Sequence, residues 1–472
     1  MNRKSKDLTN GPILKTLINL AIPIMATSFV QMAYNMTDMI WLGHVGSDAV
    51  AAVGSAGFFV WFGNALAFTT KIGSEVSVSQ AIGKKDNTLA ILQGSASILI
   101  AFVIAVIYMC FIQFNASKLL SVFDYENKSV LIESAKYLRI VSIGFIFLFL
   151  NPTFTGIYNG AGVSKVPFLY NTVGLIMNIV LDPILIYGLG MFEGLGVAGA
   201  AIATIVSQSV VLTLFLGSYL RNRFPIHDFK LVMNPGLDKI RKILQIGLPV
   251  SAHSAAFSMI SLTIAQYAAD WGSKAVAVMS IGAQIESISW MTASGFSTAI
   301  GSFTGQNLGA GKFSRITKGY ISTLTIASSI GMLATLAFIF FGEYIFKIFI
   351  QESDVLELGK LYLFILAFSQ IFMCIEIVSA GCFNGLGKTI PPSFIGITFT
   401  ASRIPLAYLL SGYFMMGLQG LWWAISLTTV IKGTLLALWL SLILKNIECE
   451  KCVYRQFFSW MVPYRFRYRK YD

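Results

Sequence analysis

Gln31, Asn35 and Asp38 stand at i, i+4 and i+7 and make one polar stripe in an otherwise apolar run from residue 13 to residue 40. A second stripe, Asn171, Asn178 and Asp182 at i, i+7 and i+11, lies between residues 164 and 187. Pro183 follows it directly and leaves a backbone carbonyl without its usual helical partner. Thr204, Ser207 and Gln208 stand in the next apolar run. Two carboxylates, amide oxygens, a hydroxyl and a freed carbonyl are hard oxygen ligands, suited to a small cation or to sharing a proton.

The elements that position these groups are set by composition. Of 472 residues 56% are hydrophobic and 12% charged, and the mean hydropathy is +0.72. That balance does not fit a surface facing water all round. Apolar stretches of about 20 residues, enough to cross a hydrocarbon core as helix, recur from residue 13 almost to residue 445. The expected spans are 13–40, 46–75, 90–114, 131–160, 164–187, 194–220, 240–270, 274–303, 317–341, 355–385, 390–411 and 417–445. No small-residue cleavage site follows the basic start, so no removable signal peptide is expected. The predicted fold class is an all-α integral membrane protein.

In that solvent an ionised group at the bilayer centre costs about 2.5 to 3.5 kcal/mol on insertion scales, so intramembrane acids and bases are functional candidates by default. Asp38 and Asp182 lead. Glu286, Glu376 and Arg403 are further candidates, either for a substrate or gating role or, with Lys432, for neutralising one another. Lys71 and Glu75, four apart, read as a pair or as snorkelling side chains. His253 on an apolar face reads as packed.

The net charge of +12 would admit nucleic acid, but its placement does not favour it. On these spans 24 of the 34 Lys and Arg fall on one side and six on the other. By the positive-inside rule both termini are cytoplasmic, which requires an even number of spans. The basic, aromatic tail is then a contact for lipid headgroups, and no nucleic-acid partner is expected.

The chain also repeats itself. At an offset of 226 residues Pro23 falls on Pro249, Ala26 on Ala252, Ser28 on Ser254, and Gln80-x-x-Gly83 on Gln306-x-x-Gly309. Asn159-Gly160-x-Gly162 matches Asn384-Gly385-x-Gly387 one residue out of that register. Each repeat holds six spans, an even number, so the two lobes run parallel about a pseudo-two-fold axis along the membrane normal. The expected domains are an N-lobe over 1–225, a C-lobe over 226–445 and a basic cytoplasmic tail over 446–472. The acids are not repeated: Asp38 aligns with Ile264, Glu75 with Gly301, and Asp182 with Ile404 or its neighbour.

Enzymes should show their chemistry, and here the motifs fail. Gly385-Leu386-Gly387-Lys388-Thr389 resembles the end of a phosphate loop, but Cys382 stands where its first glycine belongs. There is no HExxH and no GxSxG, and three scattered histidines make no metal cluster. Cys449 and Cys452 form an isolated CxxC without further ligands nearby. No enzymatic activity and no cofactor is expected.

These residues together resemble the multidrug and toxic compound extrusion (MATE) family, especially its DinF-like branch. The resemblance rests on Pro23 with Gln31, Tyr34 and Asp38, on Gly83, on Asn178-x-x-x-Asp182-Pro183, on the run Gly196 to Thr204 and on Gly305-Gln306-Asn307-Leu308-Gly309-Ala310-Gly311, and it covers residues 10–445. It implies a twelve-helix exporter in the cell membrane that exchanges lipophilic or cationic drugs for entering Na+ or H+. Position by position, Asp38, Asn178, Asp182 and Thr204 match the branch's cation site, where Na+ can bind. Gln31 and Tyr34 match drug-cavity residues, and Pro23 the hinge of the first helix. Asn35 and Met177 are expected to line the same cavity, Met177 with Tyr34 as adaptable apolar contact. The acid that NorM-like members carry in the seventh span has no counterpart between Leu248 and Tyr267. The alternative reading is a related flippase for lipid-linked precursors, which needs an Arg-rich cavity where this first half is acidic. A monomer is expected.

Overall fold

Apolar runs in lipid must satisfy every backbone group within the chain, and here they do so as helix. The computed structural model describes residues 5–43, 47–121, 128–189, 192–231 and 233–448; the side chains of Asn35 and Asp38, and residues 449–472 with Cys449 and Cys452, lie outside the described part. The first half comprises α1 (Ile13–Gly43), α2 (Ser47–Gly83), α3 (Asn87–Leu120), α4 (Lys128–Ile143), α5 (Phe145–Gly160), α6 (Lys165–Tyr187) and α7 (Val197–Leu220). The second comprises α8 (Leu237–Ala269), α9 (Ser273–Gly309), α10 (Phe313–Lys347), α11 (Ser353–Gly385), α12 (Ile390–Ala401), α13 (Arg403–Tyr408) and α14 (Leu418–Glu448). Gly188–Leu189 and Phe192–Glu193 add a two-residue antiparallel pair.

Fourteen helices make the twelve expected spans because two spans are broken. α4 and α5 meet at Gly144 with a bend of 46°. A Cβ at Gly144 would come within 2.8 Å of Ile205, so the break lets α7 approach. α12 and α13 are interrupted at Ser402, and α13 runs into a π turn over Leu409–Tyr413. Pro405, which donates no backbone hydrogen bond, stands in this stretch. Ten spans are long and apolar enough to cross a membrane on their own, and the bent pair adds one. α9 is the twelfth: it is 37 residues long, but its serines with Gln284 and Glu286 lower its apolar content. Phe114, 86% exposed, and Phe340, 68% exposed, are the kind of apolar surface that lipid covers.

The halves interlock through their first helices. α1 packs mainly on α6 of its own half and on α9 of the other, and α8 packs on α2 and α12. A Cβ at Gly247 of α8 would collide with the Thr69 carbonyl of α2, and one at Gly295 of α9 would collide with Met25 of α1. Small residues bring backbones into contact at these crossings, as membrane helix pairs require.

Candidate functional site

The expected cation ligands sit on two helices whose register is fixed. Ser164 donates to the Leu20 carbonyl at 3.0 Å, and Tyr187 donates to the Trp41 carbonyl with the two rings 6.1 Å apart. These contacts run α1 and α6 parallel at a nearly constant offset. The Asp38 position is therefore level with Asp182, and Tyr34 with Asn178. Asn178 and Asp182 are fully buried, and the Asn178 amide donates to Asp182 Oδ1 at 3.0 Å. Asn178 Oδ1 is buried without a hydrogen-bond partner.

α7 closes the group from the other side. Gly174 meets Val211 and Ser207, and Gly199 meets the Leu185 carbonyl, so antiparallel register brings Thr204 opposite Asn178. The Thr204 hydroxyl donates to the Ala200 carbonyl at 3.0 Å, which leaves its oxygen a possible ligand rather than a donor. Gln208 accepts from Asn151 at 2.9 Å, and Asn171 donates to the Pro167 carbonyl at 2.7 Å, so both serve helix contacts. Of the cavity residues, Tyr34 is 4% exposed, Met177 half-buried and Gln31 exposed. Pro23 is buried within a continuous α1, and its carbonyl accepts from Thr27 at 2.9 Å.

In the second half Glu286, Glu376, Arg403 and Lys432 act on one another electrostatically, Arg403 with both acids and Lys432 with Glu376. Lys432 pairs with Glu376 at 3.0 Å, with both side chains largely buried. Glu286 accepts from Tyr362 at 2.8 Å. Arg403 donates through Nε to Thr428 at 3.1 Å and through Nη2 to Thr429 at 3.0 Å, and its guanidinium lies 6.0 Å from the Phe257 ring centre. His253 packs beneath Gly396 and its Nε2 has no partner.

The charges of Lys71 and Glu75 act on each other, as their spacing suggests. The Lys71 ammonium also lies over the Phe68 ring, 5.2 Å from the centre, and Glu75 accepts from Ser302 of the other half at 3.1 Å. Glu75 thus belongs to a seam at the basic ends of α2 and α9, which the spacing of charges does not reveal. There a Cβ at Gly83 would collide with the Gln306 carbonyl, and one at Gly309 with the Gln80 carbonyl. Gln306 donates to the Gly160 carbonyl at 3.0 Å and Gln80 to the Gly385 carbonyl at 3.1 Å. The repeated Gln-x-x-Gly motif, a mark of duplication in the sequence, is the signal of this seam. The described hydrogen bonds between halves cluster at this seam, apart from the long contact of Ser287 with Met32, 3.8 Å. Among the described residues no group of three or more His, Cys, Asp or Glu could hold a metal.

Comparison with known proteins agrees with this architecture. The MatE family model matches residues 23–184 and 249–409, one segment in each half. The chain is 28% identical over 431 residues to a probable multidrug resistance protein NorM of Thermotoga maritima, covering 90% of this chain and 91% of the relative. It is 29% identical over 414 residues to the probable multidrug resistance protein YoeA of Bacillus subtilis, covering 85% and 88%. A solved structure described as the outward-facing conformation of a multidrug resistance MATE family transporter of the MOP superfamily is 25% identical, with a TM-score of 0.87 over 94% of this chain and 99% of the other.

Proposed function

Because the chain belongs to the MatE family, whose members are transporters and not enzymes, we propose that it is a secondary active antiporter that expels organic, often cationic, compounds in exchange for Na+ or H+. The observation that carries this reading is the buried Asn178–Asp182 pair, level with the Asp38 position and opposite Thr204. With both acids ionised the first-half cavity attracts a lipophilic cation. A bound proton or sodium ion removes that attraction, so cargo and coupling ion compete for one charge state.

The two lobes supply the motion. In this structure they meet at their basic ends, which the charge asymmetry assigns to the cytoplasm. Alternating access then consists of parting this seam while the far ends close, with Pro23 as the hinge of α1 and residues 1–225 and 226–445 as the moving bodies. One net charge moved inward per cycle down 100 mV, as when two coupling ions enter for one monovalent cation, yields about 2.3 kcal/mol, enough for roughly a fiftyfold cargo gradient. The protein works in this reading as a monomer in the cell membrane, with the basic tail on headgroups.

Purified protein in proteoliposomes, loaded with a fluorescent cation and given a sodium or a pH gradient, tests the reading. Counterflow driven by one of the two gradients is expected. Transport indifferent to both would overturn it.

A further inference from the structure

The seam joins the two repeats through residues that are themselves repeated. Gln80 and Gln306 occupy matching positions, and so do the glycines whose carbonyls they reach, Gly385 and Gly160. Each glutamine crosses to the other half and bonds the last residue of a helix there. The geometry points to a two-fold glutamine clasp: Gln80 and Gln306 are the positioning residues that hold the basic side of the transporter shut. This rests on the alternating-access reading above.

Each clasp arm has a keeper on its acceptor oxygen. Gln306 Oε1 accepts from the Leu8 backbone amide at 2.9 Å, and Gln80 Oε1 accepts from Lys242 Nζ at 3.3 Å. Leu8 comes from the chain leading into α1 and Lys242 from the first turns of α8, eight residues out of the repeat's register, so the keepers are not themselves repeated. They are unequal. Residues 5–10 form a strap that touches both halves: Ser5 donates to the Pro225 carbonyl and Lys6 to the Ala161 carbonyl, at 3.1 and 2.9 Å. On the other half Asn307 donates to the Leu8 carbonyl at 3.3 Å, and Lys312 to the Thr9 carbonyl at 2.9 Å. Arg315 donates to the Asn10 carbonyl at 3.0 Å, and the Leu8 side chain is 3% exposed.

Opening the seam must therefore break both Gln-to-Gly bonds and pull the strap from one half. Gln306 is 1% exposed and Gly160 and Gly385 are buried, so the broken groups must be rewetted. A net intramolecular hydrogen bond of this kind shifts a two-state ratio about three- to tenfold. The strap arm carries more bonds than the other, because Asn307, Lys312 and Arg315 also hold the strap.

The test is a distance measurement between spin labels at Thr88→Cys and Ser314→Cys, exposed positions on the basic side of the two halves. It uses the full chain with Cys110, Cys449 and Cys452 changed to serine. Gln306→Glu keeps the acceptor for Leu8 but loses the donor to Gly160, and Gln80→Glu does the same at Gly385. Each is expected to raise the long-distance population about three- to tenfold, and the double variant about the product. Gln306→Met and removal of residues 2–10 should together shift the population by less than the product of their separate shifts, since both remove the Leu8–Gln306 bond. Unchanged distances in both Glu variants would overturn the clasp. Indifference of transport to ion gradients would instead overturn the proposed function, because the distances are read without cargo or gradient.

Discussion

Asn178 donates its side-chain amide to Asp182 Oδ1 at 3.0 Å, one helical turn away and wholly inside the protein. The bond orients the carboxylate before any ion arrives, so loss of either partner should be felt in coupling before it is felt in folding. Asp182→Asn is expected to cut ion-driven efflux at least tenfold. Asn178→Ala removes a bond to a charged acceptor, a contribution of about 1.5 to 3 kcal/mol, and should weaken the coupling ion about tenfold or more. Initial rates against ion concentration in proteoliposomes check both.

Level register of Asp38 with Asp182 makes a sharper demand. If the two acids form one site, Asp38→Asn combined with Asp182→Asn should be no worse than the more harmful single change. Losses that multiply in the same transport assay would mean two separate sites.

The buried Lys432–Glu376 pair tests stability rather than transport. Lys432→Met strands a carboxylate that has little solvent and should cost about 3 to 5 kcal/mol. Lys432→Met with Glu376→Leu should recover most of that loss, because neither charge is then left alone. Thermal unfolding in detergent reads the difference. A double variant less stable than Lys432→Met would mean that the pair supports the C-lobe through contacts other than charge.

The number of spans and their pairing into halves were legible in the sequence because lipid forces apolar runs of fixed length, and duplication leaves an offset that side-chain noise cannot imitate. The acids of the first half were legible for the related reason that charge in lipid is costly. Local spacing told only part of the story at Lys71 and Glu75. A four-residue gap on one helix brings the two charges to bear on each other, but it gives no sign that Glu75 also accepts from Ser302 across the seam, a partner 227 residues away. Leu8, Thr9 and Asn10 gave no signal at all, since most of the bonds that hold them use their backbone atoms and depend on where α9 ends and α10 begins.

Close approach at the seam gives a prediction independent of polar chemistry. Gly83→Ala and Gly309→Ala each place a methyl against the carbonyl of the opposing glutamine, with backbone on both sides unable to yield cheaply. Either change should favour the separated lobes and slow transport about tenfold or more. Gly57→Ala, on the same α2 but with open space around its Cβ, should leave both unchanged. Equal effects at Gly57 and Gly83 would count against tight closure at this place.

Asp7 decides whether the strap responds to pH. Partial burial opposes ionisation of its carboxyl, but bonds from the Thr9 amide and hydroxyl and from Asn10, with the charge of Lys312, outweigh that and hold it below the usual value. A depressed folded value means that the stabilisation is fully present above the unfolded pKa and is lost only as pH falls through the folded one. The strap should therefore hold unchanged from neutral pH down to about pH 4 and loosen below it. The other charged groups at the strap are Lys6 on it and Lys312 and Arg315 reaching it, and His227, two residues beyond Pro225, is paired with Asp228 at 2.8 Å rather than with the strap. Amide exchange of residues 5–12, corrected for intrinsic rates, should show constant protection between pH 7 and about pH 5. In Asp7→Asn the charge is gone at every pH, and protection should be lower throughout by about three- to tenfold. A loss of protection in the unsubstituted protein already near pH 6 would assign strap release to another titrating group and make it part of the proton response.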